Sequence, residues 1–147
     1  MTTRRDFLKT CAVGAVAGMA PSLSGCSMEN EEIERRPLTV STWYSGLKAN
    51  DAAWPVLAAG GDPMDAVLAG VQTAEEDPTN QYVGLGGLPD RDGRVTVDAS
   101  VMNGAGKAGS VAAVEDVVHA AALARAVMDH TPHVMLVGDG ARQFAID

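Results

Sequence analysis

The sequence predicts an α/β body of the α+β kind, with a mostly antiparallel sheet and helices packed on its face. Three observations carry this. Val95, Val97 and Ala99 alternate with Thr96, Asp98 and Ser100, which is the period-2 pattern of a strand with unlike faces, and the turn signal Asp92-Gly93 stands before them. Met64, Val67, Leu68 and Val71 fall at i, i+3, i+4 and i+7, one apolar face of a helix. Aromatic residues make up only 4% of the chain against 16 glycines, which favours closely packed helices on a sheet over an aromatic-rich sandwich of sheets.

Taken in order, Leu38-Thr39-Val40-Ser41-Thr42-Trp43 is a β-branched run after a proline and predicts a first strand. Asn50 or Asp51 is an N-cap for a helix through Ala59, closed by Gly60-Gly61, with Pro55 near its first turn. Asp62 as N-cap and Pro63 at the first helical position start a second helix that stops by Asp77-Pro78. The two helices are expected to pack as a pair against the sheet. After the strand at 95–101, a second turn at Asn103-Gly104 lets Ala108 to Val114 return as another strand. The period then changes: Val117, Val118, Ala121, Leu123, Ala124, Val127 and Met128 mark a helix from Glu115 or Asp116, ended by Asp129-His130-Thr131-Pro132. His133 to Val137 reads as a compact buried strand, and Gly138-Asp139-Gly140 turns into a last helix, Ala141 to Ile146. That helix carries an apolar face and runs for only two turns, so the domain is expected to continue past it.

At 147 residues the chain is the length of one domain. A net charge of −8 offers no basic face for phosphates, so nucleic acid is not an expected partner. Cys11 and Cys26 both lie in the first 26 residues, which leaves the body without a disulfide framework or a cysteine zinc site.

Residues 1–26 read as an address. Arg4 and Arg5 precede Phe7-Leu8-Lys9 in a pattern that resembles a twin-arginine export signal, and an alanine-rich apolar run from Cys11 to Ala20 follows, too short for a membrane span. Leu23-Ser24-Gly25-Cys26 resembles a lipobox, in which the sulfur of Cys26 becomes a lipid anchor after cleavage; a plain cleaved signal is the alternative. Residues 27–36 form a polar tether and 37–147 the body. The expected location is periplasmic or membrane-anchored.

Several patterns resemble sites. Gly104-Ala105-Gly106-Lys107-Ala108-Gly109 satisfies GxGxxG, but the strand before it alternates and the next apolar helical period begins only at Val117, so a turn is favoured over a dinucleotide loop. Lys107 does not make a phosphate-binding loop, because Ala108 stands where a Ser or Thr is needed. Asp90, Asp92 and Asp98 lack the later Glu of a calcium loop. His119, His130 and His133 lack a metal spacing and read as helix-end or surface residues. Trp43, at the end of the first run and before a glycine-containing loop, either lines a pocket or packs in the core. The residues alone compose no complete catalytic constellation.

Several segments carry a resemblance: Ser41-Thr42-Trp43, Ala53-Trp54, Leu57 to Gly61, Asp65-Ala66-Val67, and Val83-Gly84 with Gly86-Gly87. Pro89-Asp90 with Gly93, Asp98-Ala99 with Met102, and Ala124 to Met128 with Thr131 to Gly138 continue it in collinear order. From Pro37 onward the chain resembles the amino-terminal part of the glycosylasparaginases (aspartylglucosaminidases), in the asparaginase branch of the N-terminal-nucleophile hydrolases. The resemblance implies a four-layer αββα sandwich made of an α and a β subunit, formed when a precursor cleaves itself before a threonine. That threonine then supplies both the nucleophilic hydroxyl and the basic amino group. It also implies hydrolysis of the amide between N-acetylglucosamine and an asparagine side chain, no cofactor or metal, and a dimer of αβ heterodimers.

In the family the threonine follows a His-Asp pair. No such triplet occurs here, and Asp129-His130-Thr131 has the wrong order and is followed by Pro132. The expectation is therefore that these 147 residues hold no catalytic nucleophile and are inactive alone, the β subunit being the needed partner. Of the family's substrate contacts only Trp43 falls in this sequence, as an apolar wall beside the bound aspartyl group. Tyr82 stands where relatives often have Ser, Asn103 where they have Asp, and His119-Ala120 where Asn-Pro is common. Two readings from other classes are a membrane-tethered, non-catalytic binding module and a nucleotide-binding oxidoreductase.

Overall fold

A computed structural model describes residues 36–147. The expectations for Arg4, Arg5 and Cys26 lie outside those residues. The elements in chain order are helix α1 (Gly46–Ala58), helix α2 (Pro63–Glu75), a 3₁₀ turn (Gly84–Gly86), strand β1 (Val97–Met102), strand β2 (Ala108–Val114), helix α3 (Ala120–His130), strand β3 (Met135–Val137) and helix α4 (Gly138–Ile146). The described residues thus form an α/β fold with one small sheet, in the order β1-β2-β3. β1 and β2 are antiparallel, with Val101 opposite Gly109 and Met102 opposite Ala108, whereas β3 runs parallel to β2 after the α3 crossover.

The β1–β2 hairpin is closed at Asn103–Lys107, where the Asn103 N–H donates to the Lys107 carbonyl at 2.9 Å. The Asn103 Oδ1 also accepts from the Ala105 and Lys107 amides, both at 3.0 Å. Gly106 takes φ +80° in this turn. The GxGxxG pattern is therefore a hairpin turn running into β2. The Asp92-Gly93 turn also forms, with the Asp90 N–H donating to the Arg94 carbonyl at 2.8 Å, but among the described residues no strand precedes it. β1 keeps the predicted alternation: Val97, Ala99 and Val101 turn inward, while Asp98, Ser100 and Met102 are exposed. Within the hairpin, Ala112 and Ala113 together oppose Asp98, a β-bulge with Ala113 at φ +51°. The Asp98 Oδ1 accepts the Ala113 N–H at 2.7 Å and holds the bulge.

The core gathers Val101, Val111 and Val114 from the hairpin, Leu123, Ala124, Val127 and Met128 from α3, Met64 from α2 and Ala141 from α4. Each fully buried aliphatic side chain contributes about 1.5–3 kcal/mol. Gly109 permits the close approach of β2 to α3, because a Cβ there would overlap the Ala124 carbonyl oxygen and the Met128 backbone.

Several elements depart from expectation. Residues 38–43 form no strand and are mostly exposed; a strand exists through its ladder, and none of the three strands pairs with this segment. α1 begins at Gly46, earlier than the expected cap, so Pro55 lies inside the helix. Its ring removes the bond to the Asp51 carbonyl, which is tolerable because both residues are exposed. Of the four apolar residues on the predicted face of α2, Met64 is buried, Leu68 half-buried, and Val67 and Val71 exposed; Ala66, Gly70 and Glu75 complete the buried line. Gly70 sits where a Cβ would come within 2.8 Å of the Ala49 carbonyl oxygen, so α2 is pressed mainly on α1. The helical pair meets the core through Met64 and Leu68 and does not lie flat on the sheet. Val117 and Val118 belong to the loop before α3. β3 is a three-residue edge strand whose Met135 and Val137 are exposed. The α1 stop and α2 start follow the sequence closely: Gly60 is at φ +74°, the Gly61 N–H donates to the Val56 carbonyl at 2.9 Å, and the Met64 N–H donates to Asp62 Oδ1 at 2.7 Å.

Candidate functional site

Trp43 ends the extended segment just before α1 with φ +68°, a left-handed conformation that is costly for a bulky residue. Its carbonyl accepts the Gly46 N–H at 3.2 Å, so the unusual turn leads directly into the helix. The side chain is 77% exposed, so among the described residues Trp43 borders a cleft and is not packed in the core. The cleft is about 410 Å³, and its other walls include Tyr44, Lys48, Asp77, Asn80 and Tyr82.

The far wall is built by the turn after α2. Asp77 Oδ1 accepts from the Thr79 N–H at 2.9 Å and from its hydroxyl at 2.6 Å, and the Asn80 N–H donates to the Asp77 carbonyl at 3.0 Å. Asn80 then links helix and loop: its Nδ2 donates to the Ala74 carbonyl at 3.1 Å, and its Oδ1 accepts the Tyr82 N–H at 3.0 Å. These bonds carry Tyr82 to Trp43, where the ring centroids lie 5.9 Å apart at an interplanar angle of 71°. This edge-to-face arrangement places the positive rim of one ring on the negative face of the other.

Lys48 reaches Asp77 Oδ2 at 3.8 Å and is largely exposed, so its ammonium remains available to a ligand. The two Thr79 hydrogen bonds, with a smaller contribution from Lys48, hold the Asp77 carboxyl below the usual aspartate range. The cleft therefore combines aromatic walls with a carboxylate that stays ionised, a solvated ammonium and two phenol hydroxyls.

A second cluster was missed by sequence reasoning. Glu75, 4% exposed, sends Oε1 to the Ala121 N–H at 3.0 Å and Oε2 to His119 Nδ1 at 3.3 Å, while His119 Nε2 lies 3.5 Å from Glu76 Oε1. Glu75 follows Leu68 by seven residues and Val71 by four, and an acidic residue on an apolar line was the available signal. His119 and His130 flank the two ends of α3, and His133 is exposed, as the sequence reading expects. Thr131 caps the end of α3, with its hydroxyl donating to the Val127 carbonyl at 2.8 Å, and it belongs to the helix-to-strand connection.

A sequence profile of the family described as Asparaginase matches residues 13–147. The chain belongs to this asparaginase family. It is 47% identical over 146 residues to the N(4)-(beta-N-acetylglucosaminyl)-L-asparaginase of Elizabethkingia miricola, an alignment covering 97% of this chain and 43% of that protein. It is 41% identical over 111 residues to the protein of the same name from Rattus norvegicus, covering 75% of this chain and 32% of the relative. A mouse relative of that name is 42% identical over 110 residues. The chain spans less than half the length of these curated relatives.

Proposed function

We propose that this chain is the amino-terminal portion of an exported glycosylasparaginase precursor. The observation that carries the reading is 47% identity across nearly all of this chain with a relative named for N-acetylglucosaminyl-asparagine hydrolysis. The reaction is hydrolysis of the amide joining N-acetylglucosamine to an asparagine side chain. A threonine borne by the remainder of the protein attacks the side-chain carbonyl while its own α-amino group takes the hydroxyl proton; the amide C–N bond then breaks, the N-acetylglucosaminylamine leaves with that proton, and water hydrolyses the resulting ester to release aspartate and the threonine hydroxyl. Trp43 contributes a rigid apolar wall beside the aspartyl group. The partner is the β subunit, and the assembly is a dimer of αβ heterodimers. Arg4 and Arg5 direct export, and Cys26 carries a lipid anchor.

The test is release of aspartate from N4-(β-N-acetylglucosaminyl)-L-asparagine. We expect no turnover with residues 1–147 alone and turnover once the threonine-bearing segment is supplied. Turnover by the 147-residue chain alone overturns the division of labour, and no turnover by the assembled, self-cleaved protein overturns the function. Cooperative unfolding of the isolated chain without binding of a surface-sensing dye favours the tethered binding module instead. For the anchor, radiolabelled fatty acid is expected in the protein and not in Cys26→Ser.

A further inference from the structure

Which substrate the cleft prefers is written in the contact between Trp43 and Tyr82. We propose that this aromatic corner receives the sugar ring of a glycosylated asparagine, and that Tyr82 is a specificity-determining residue favouring the glycosylated over the free amino acid. The proposal rests on the hydrolase reading above.

Three observations support it. First, Tyr82 is 81% exposed, so the contact with Trp43 leaves much of its ring free. A pyranose presents C–H groups on its faces and hydroxyls around its rim; an aromatic face meets the former, and polar groups at the cleft border meet the latter. Secondly, those polar groups are present and incompletely engaged: the Lys48 ammonium lies 3.8 Å from Asp77 Oδ2, beyond hydrogen-bond distance, while Asp77 Oδ1 is occupied by Thr79. Thirdly, Tyr82 is placed by backbone and side-chain bonds from Asn80, so the corner is organised before a ligand arrives. Trp43 stands beside the aspartyl group that both substrates share, so within this corner the face that distinguishes the sugar is the Tyr82 ring.

The experiment uses the self-cleaved protein with both segments and compares N4-(β-N-acetylglucosaminyl)-L-asparagine with L-asparagine. Tyr82→Ser is expected to lower kcat/KM for the glycosylated substrate by about tenfold, the scale of losing one apolar subsite contact, chiefly through KM. The same variant should lower kcat/KM for L-asparagine by a clearly smaller factor, since only the packing on Trp43 is lost there, and Tyr82→Phe should retain most of the preference. Equal losses on both substrates, or none on either, overturn the proposal.

A second readout separates this inference from the hydrolase reading. In a Trp54→Phe background Trp43 is the tryptophan left among residues 1–147, and N-acetylglucosamine alone is expected to change the emission, an effect lost in both Trp43→Phe and Tyr82→Ser. A wild-type protein that hydrolyses neither substrate refutes the hydrolase reading, and the emission change then supports the sugar corner by itself. Absence of any emission change at saturating sugar overturns the corner whatever the hydrolytic activity.

Discussion

The Glu75 carboxylate accepts the Ala121 N–H at 3.0 Å and so caps helix α3 from a neighbouring helix. His119, the residue before α3, makes no side-chain cap hydrogen bond within its own helix. The amides of the first turn are orphans in any helix, and a carboxylate there is favoured by both hydrogen bonding and the helix dipole. Glu75→Ala removes the acceptor from a buried N–H and is expected to lower stability by about 2 kcal/mol in urea unfolding. Glu75→Gln keeps an acceptor and should lose less. Equal stability of Glu75→Ala and wild type would contradict the capping role.

Gly109 and Gly106 belong to the same glycine pattern and are expected to respond differently to substitution. At Gly109 a larger side chain drives β2 away from α3, because the Ala124 carbonyl and Met128 backbone have no room to yield. Gly109→Val should cost about 3 kcal/mol or prevent folding. At Gly106 a Cβ meets nothing within 4 Å, so the penalty comes only from φ +80°. Gly106→Ala should therefore cost about 1 kcal/mol. Thermal unfolding of the two variants tests this ranking. A dinucleotide loop predicts instead that NAD binds and that Gly106→Val abolishes the binding.

These contrasts show which parts of the fold were legible in the sequence. Asp62-Pro63, Gly60-Gly61 and Asn103-Gly104 act within a few residues of themselves, so their caps and turns form where the sequence places them. The 38–43 run was legible only as β-prone, because strand formation needs a partner that no local pattern supplies. Glu75 was hidden for a related reason: its acceptor role depends on Ala121, 46 residues away. The same holds for the cleft. Trp43 could be singled out from its position, but Tyr82 appeared only as a departure from its family, and their contact depends on the Asp77–Asn80 turn bringing distant segments together.

Arg125 joins α3 to α2 by an ion pair with Asp65 and lies 3.2 Å from Asp129 one turn along its own helix. These carboxylates are partly solvated, so water and salt screen the attraction. A double-mutant cycle of Arg125→Ala with Asp65→Ala should give a coupling of about 0.5–1 kcal/mol that shrinks in high salt. A coupling several times larger would mean that the pair behaves as a buried one.

Asp77 offers a test of the cleft wall by titration. Hydrogen bonds from the Thr79 hydroxyl and N–H stabilise its ionised form, so its folded pKa lies below the unfolded value. The sign follows from linkage: the contribution is present above the unfolded aspartate value, about 3.9, and is lost as pH falls through the lower folded value. Carboxyl NMR should therefore show Asp77 titrating below ordinary aspartates in the wild type. In Thr79→Val, which removes the hydroxyl and leaves the backbone donor, the midpoint should move upward. Because Asn80 follows directly and holds the Tyr82 amide, protonation of Asp77 should also loosen the Tyr82 ring on Trp43. Tryptophan emission in a Trp54→Phe background is then expected to shift over the acid window in which Asp77 titrates, and at higher pH in Thr79→Val. Emission that stays constant through the Asp77 titration would show that the turn and the aromatic corner are independent.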